Sequence, residues 1–236
     1  MSHFHSFPDC LHCKARFKSI FCDLDAEMLL KLEMNKTCNL FKRGQFIFHE
    51  GTYPRGLFCI NMGKIKIVQS GETGKEQIIR FSKEGDVIGY GSLLSGEKYS
   101  CSAIALEDSS VCYISKSFFL NLVSHNTELA TKMAILLAND LRKAEQKLTG
   151  LAQKTVRERT AEAILFLKEI FGYENDNITV NIRISREEFA NLIGTARETA
   201  TRLLSEFKDD GIVELYGKKI KILNAHKLIQ TANIHN

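Results

Sequence analysis

No run of about 18 consecutive apolar residues occurs in this 236-residue chain, so no segment reads as a membrane-spanning helix. The first residues carry His3, His5 and Asp9 but no apolar core, which argues against a secretory signal and leads to the expectation of a cytoplasmic protein. Charge of one sign is also lacking. The net charge is +4, and from Ala152 onward 13 Lys or Arg stand against 12 Asp or Glu. Nucleic-acid binding therefore cannot be argued from bulk charge and must rest on a motif. Enzyme patterns are missing as well: no Ser-His-Asp, HExxH or phosphate-loop signature is present, and the expectation is a non-enzyme. Seven cysteines, an odd number without an export signal, argue against a disulfide framework and for free thiols, metal ligands or both.

What is there is ordinary globular composition, 44% hydrophobic and 25% charged, arranged in three regimes. From about Thr37 to Ser115, short β-type runs are punctuated by glycine: 45–49, 57–61, 65–69, 77–81, 87–88, 100–106 and 110–114, with breaks at positions such as Gly51, Gly63, Gly71, Gly85 and Gly96. Regular short strands with turn residues predict an antiparallel sandwich or barrel. In such a stretch glycines are turn residues by default and not a phosphate cradle.

From Phe118 to about Leu151 the period becomes helical. Ala130, Ala134, Leu137, Leu141, Ala144, Leu148 and Leu151 alternate spacings of four and three, which is a heptad seam. A long helix packed on its own domain satisfies that pattern. A parallel two-helix dimer seam satisfies it better, because the stripe is narrow and its other faces carry Asn139, Arg142, Lys143 and Gln146. A second helix is predicted over Val156–Phe171, then a loop over Tyr173–Asn177.

The last third carries the sharpest signal. Ser185 to Glu188 is a capping box, Phe189, Leu192 and Ile193 form an apolar face, and Gly194 ends the helix. Thr195 to Glu198 reads as a second capping box, with Leu203, Leu204 and Phe207 facing the core. Two capped helices joined by a glycine turn make a helix-turn-helix, and Ile212–Leu215 with Lys219–Leu223 predict a two-stranded wing. In that motif the first turns of the second helix enter the major groove. Arg197, Glu198, Thr201 and Arg202 are placed to meet guanine, cytosine and thymine edges, and Thr195 and Thr199 to meet phosphates. Glu198 also fits a purely capping role, Arg197 and Arg202 fit solvated surface charges, and the whole motif fits a protein-binding winged helix.

The segment Glu187–Leu204 (EEFANLIGTARETATRLL) and the segment Glu84–Tyr90 (EGDVIGY) resemble the CRP/FNR family of bacterial regulators, over nearly the full chain. The resemblance implies an α+β fold: a double-Greek-key β-barrel of the cyclic-nucleotide-binding type, a long dimerisation helix and a C-terminal winged helix-turn-helix. The expected domains are a cysteine-containing segment at 1–30, an effector barrel at 31–117, the dimer helix at 118–152 and the DNA-binding domain at 153–236. The implied partners are palindromic double-stranded DNA with a TGA-type half-site, a second copy of the chain and RNA polymerase. Whether binding activates or represses is left open.

The resemblance also bears on the signal. The nucleotide-binding branch uses a glutamate after the barrel's Ile-Gly and an Arg-Ser pair further on. Tyr90 stands in the first place here and Tyr99 in that of the arginine, with Ser100 retained, which argues against cyclic AMP. Cys10 and Cys13 form a C-x2-C pair, Cys22 follows after eight residues, and Cys112 matches the fourth ligand of the oxygen-sensing FNR branch. The implied cofactor is a [4Fe–4S] cluster held by Cys10, Cys13, Cys22 and Cys112. The interval before Cys22 departs from the five residues usual in that branch. Zinc on Cys10, Cys13 and a partner such as His12 or Cys22, redox-reactive thiols, or haem or another effector in the barrel stand as alternatives. Cys38, Cys59 and Cys101 lie in or beside predicted strands, where burial is the default.

Overall fold

The computed structural model describes residues 9–72 and 74–233; His3 and His5 fall outside them. The chain divides into two compact units, Met1–Ser70 with Ile79–Asp140 and Gly71–Ile78 with Leu141–Asn236.

The strands are β1 (Lys36–Phe41), β2 (Phe46–Phe48), β3 (Gly56–Met62), β4 (Lys64–Ser70), β5 (Glu76–Lys83), β6 (Val87–Ile88), β7 (Ser102–Ala105) and β8 (Ser109–Ser115). They form two four-stranded sheets, ordered β1-β8-β3-β6 and β2-β7-β4-β5. The predicted runs coincide with β2 to β8 within about two residues. β1 was not delimited, because its half-exposed sequence KTCNLF lacks a strict apolar alternation.

Between the sheets, Phe48, Ile60, Ile65, Ile67, Ile88 and Tyr99 fill the interior. The other face of the first sheet presents Leu57 and Ile114 to a second apolar cluster that includes Phe21, Leu29, Leu32 and Phe119. This layer comes from the N-terminal segment, from helix α1 (Ala26–Met34) and from α3 (Lys116–Ser124), with the short α2 (Tyr90–Ser95) beside them. Neither α1 nor α2 was expected. Asp25 caps α1 by accepting from the Met28 N–H at 2.8 Å.

The single helix expected from Phe118 to Leu151 is two helices, α3 and α4 (Thr127–Gln153). The break is made by Asn126, whose side-chain oxygen accepts from the Leu129 N–H at 2.8 Å. α4 is about 40 Å long at 1.5 Å per residue. Its Leu129 and Met133 are buried in their own unit, while Leu137, Leu141, Leu148 and Leu151 are exposed, Leu141 at 62% and Leu148 at 70%.

In the other unit, α5 (Val156–Phe171), α6 (Arg186–Ile193), α7 (Arg197–Asp209) and α8 (Ala225–Thr231) accompany the ribbon β9 (Val213–Tyr216) and β10 (Lys219–Ile222). The Ser185–Glu188 capping box is present with both of its bonds, and Gly194 closes α6 at φ +68°, a left-handed conformation that favours glycine. A further capping box, Thr155 with Glu158, starts α5. The second box expected at Thr195 is not formed. The Thr195 N–H is drawn back into the α6 turn, donating to the Ala190 carbonyl at 3.1 Å, and α7 begins one residue later, with Ala196 at its N-cap. No helix among the described residues is long and apolar enough to cross a membrane.

Candidate functional site

α7 is amphipathic in the sense its sequence demands. Ala200, Leu203, Leu204 and Phe207 are buried, so Arg197, Glu198, Thr201 and Arg202, one and four positions apart, share the exposed face. Thr195 and Thr199 are half-buried beside it. The Thr201 hydroxyl donates to the Arg197 carbonyl at 2.8 Å, and Arg202 forms an ion pair with Glu206 one turn on. Glu206 also accepts from Arg157 at 2.9 Å, and Arg157 reaches Asp210 at 2.6 Å. The base of the helix is thus pinned while its first two turns stay open to solvent.

The cysteines separate into two groups. Cys10, Cys13, Cys59 and Cys112 line one cavity, together with Asn61 and Ile114. Cys22 lies elsewhere: its sulfur accepts from Lys132 Nζ at 3.1 Å, and that ammonium also holds Asp23. The expected ligand set is therefore brought together at Cys10, Cys13 and Cys112, and not at Cys22. Arg16 fixes this geometry. Its guanidinium is buried and donates to the carbonyls of Cys10 and Cys22, both at 2.8 Å, folding the intervening segment into a closed loop.

Cys112 is joined to Cys38 by a disulfide, which corrects the expectation of thiols without such a bond. The reason is strand register. Cys38 faces Cys112 across β1 and β8, with Cα atoms 4.0 Å apart, and Cys59 faces Cys112 across β3 and β8. Directly opposed residues on antiparallel neighbours project to the same face. Three cysteines thus form a row across one sheet, a relation that no local pattern in the sequence contains.

Burial pushes the Cys59 thiol up to about 12, and burial with a Glu33 hydrogen bond pushes Cys10 up to about 11. Both are neutral thiols at pH 7 and would give up protons on binding a metal. Among the described residues no three Cys, His, Asp or Glu side chains are preset as a ligand shell. Cys10, Cys13, Cys59 and Cys112 nevertheless bring to one cavity the four sulfur donors that a thiolate-bound metal group takes, with Cys112 bonded to Cys38 in this state. His12 is exposed and bonded through Nδ1 to Asp9 at 3.0 Å, and it does not line the cysteine cavity.

In the barrel, Tyr90 and Tyr99 are both buried. Tyr99 stacks on Phe48 with ring centroids 4.1 Å apart, and the Tyr90 hydroxyl accepts from Arg80 at 2.7 Å. Tyr99 thus packs in the barrel interior, while Tyr90 belongs to the cluster on the other face of the first sheet.

Residues 39–126 match the cyclic nucleotide-binding domain, and residues 158–231 match the Crp-like helix-turn-helix domain. Over 188 residues the chain is 31% identical to Electron transport regulator A of Shewanella oneidensis, covering 79% of this chain and 75% of that one. The chain belongs to the CRP/FNR family of transcription regulators. This regulator is also 29% identical over 228 residues to the Transcriptional activator protein anr of Pseudomonas aeruginosa, covering 94% of this chain and 92% of that one. FixK2 from Bradyrhizobium japonicum shares its fold, with a TM-score of 0.76 at 24% identity over 85% of this chain and 99% of that one. The matched relatives are regulators and not enzymes. The helix-turn-helix described above is this regulator's DNA-binding element.

Proposed function

We propose that this regulator is a homodimer that reads a palindromic operator with Arg197, Glu198, Thr201 and Arg202, and that it responds to oxygen or redox state through a thiolate-held [4Fe–4S] cluster. The observation that carries the sensor reading is the shared cavity of Cys10, Cys13 and Cys112. Bound there, the cluster supplies an oxygen-labile redox centre. The chain's own residues do the rest. Cys10 and Cys13 belong to a loop clamped by Arg16, and Cys112 lies on β8 four residues before α3 begins. Thiolate ligation would tie that loop to the strand that leads into α3 and α4, and so favour one arrangement of the dimer helix over another. The exposed leucines of α4 supply a seam for a second copy. With twofold symmetry the two copies of α7 would enter half-sites about one helical turn apart, and RNA polymerase would be the partner at the promoter.

A second reading has one observation in its favour. The Cys38–Cys112 disulfide is a redox couple in its own right and could carry the signal without metal. An effector or haem in the barrel is disfavoured by the side chains that fill its interior.

Selection from a pool of randomised duplexes tests the regulator's reading. Anaerobically reconstituted protein should enrich a palindrome with half-sites one turn apart, and the same protein after air should enrich it weakly. Equal enrichment in both states, with no bound iron, would remove the cluster from the account.

A further inference from the structure

We infer that Cys59 is the fourth thiol of the sensor: once the Cys38–Cys112 bond is reduced, Cys10, Cys13, Cys59 and Cys112 hold the cluster, and Cys22 stands outside the set. This rests on the cluster reading above and identifies the residues of that same site.

Four observations converge on it. Cys59 lies directly opposite Cys112 on the neighbouring strand, so the two sulfurs leave the sheet on the same side. The Cys13 thiol donates to Asn61 Oδ1 at 3.4 Å, and Asn61, at a bulge two residues beyond Cys59 on the same strand, lines the same cavity as Cys59. Cys10 is buried in the layer that covers that face and is held there by its own N–H, which donates to Glu33 Oε2 at 2.6 Å. All four cysteines line the same cavity. Against this, Cys22 is engaged by Lys132, and Arg16 holds its carbonyl in a bend that fixes its place in the chain. Bringing Cys22 to the cavity would mean breaking both contacts, whereas Cys59 already lines it.

Cys112 cannot serve while it is bonded to Cys38. Reduction of that bond takes two electrons and two protons, which a dithiol reductant supplies as it closes to its own disulfide. Each thiol that then ligates releases its proton to solvent. Cys38, left as a free thiol on the neighbouring strand, is the partner with which Cys112 re-forms the bond when oxygen destroys the cluster, the two electrons and two protons passing to oxygen.

The test uses the full chain, reduced with a dithiol under anaerobic conditions and reconstituted with ferrous iron and sulfide. Iron, sulfide and visible absorbance are measured for wild type, Cys22→Ser, Cys59→Ser and Cys59→Ala, with far-UV circular dichroism confirming the fold of each. Wild type and Cys22→Ser should both take up about four irons per chain, and both Cys59 variants should hold less than half of that. A Cys59→Ser protein that loads like wild type overturns the inference, whatever Cys22→Ser does. Because Cys59 is partly buried and its variants are open to misfolding, loaded wild type is also alkylated with iodoacetamide and mapped by mass spectrometry. Cys22 should be labelled and Cys59 protected until the iron is chelated, and the reverse pattern overturns the assignment. If wild type itself takes up no iron, the cluster reading fails and this inference falls with it, a result distinct from a loaded protein that ignores Cys59.

Discussion

The Tyr90 hydroxyl donates to the carboxylate of Asp140, and Arg80 pairs with that same carboxylate, so the corner of the barrel at α2 is fastened to the middle of α4. Tyr90 opens α2 directly after Gly89, whose φ of +85° sets the sharp turn into the helix. Burial, with Asp140 adding to it against the opposing pull of Arg80, pushes the Tyr90 phenol up to about 12. A phenol whose folded value lies above its ordinary value near 10 stabilises the fold fully below pH 10 and loses that contribution as pH rises towards 12. Stability in urea should therefore be flat on this account from neutral pH to about pH 10 and should fall above it, with Tyr90→Phe showing a smaller alkaline fall and about 1 kcal/mol less stability at pH 7. Absorbance at 295 nm should lose part of its late titration step in Tyr90→Phe. Tyr99, also pushed up to about 12 by burial, supplies the remainder.

The capping bonds give a second expectation, confined to the DNA-binding unit. Ser185→Ala removes the acceptor for the Glu188 N–H at 3.1 Å and should cost about 1 kcal/mol in thermal or urea unfolding. Base preference in a duplex competition should not change, because Ser185 lies on the helix before α7. A changed preference would place Ser185 in the DNA contact.

Arg202 is predicted to read a base. It forms an intrahelical pair with Glu206, and reaching a guanine exchanges that exposed pair for a bidentate contact. Arg202→Ala should weaken operator binding by about 1–3 kcal/mol and relax preference at a single position, as measured by competition among single-base operator variants. A uniform loss across all variants would make Arg202 a phosphate contact instead.

The α4 seam is predicted to hold the dimer. Leu141→Glu introduces a charge into the exposed stripe and should give a monomer in sedimentation at micromolar concentration, with weak DNA binding. Should that variant sediment as a dimer, the seam lies on another surface. Asp140, next to Leu141, is already neutralised by Arg80 and is not a bare charge on the helix.

How much of this could be read from the sequence depended on the range of each interaction. The α6 start and stop were readable because a Ser–Glu box and a glycine are local signals, and so were the barrel strands, whose glycines mark their ends. The start of α7 was misplaced by one residue, because the Gly194 turn claims the Thr195 N–H and so outweighs the capping pattern. The split between α3 and α4 was hidden by an apolar stripe that runs on past Asn126. The cysteine row was beyond reach. Cys59 and Cys112 are far apart in sequence and become neighbours only through the pairing of β3 with β8, whereas Cys22, which the family resemblance suggested, is bonded to Lys132 and held through its carbonyl by Arg16.

The central claim is that one thiol-lined cavity governs one DNA-reading helix. The most direct test is an operator titration by fluorescence anisotropy on a single anaerobic sample, run loaded with iron and sulfide and run again after air, with iron counted in both. The account predicts operator binding on the order of tenfold tighter in the loaded state, equivalent to about 1.4 kcal/mol, and loss of that difference as iron is released. Equal affinity before and after air, or a protein that purifies with one zinc and no response to oxygen, would contradict it.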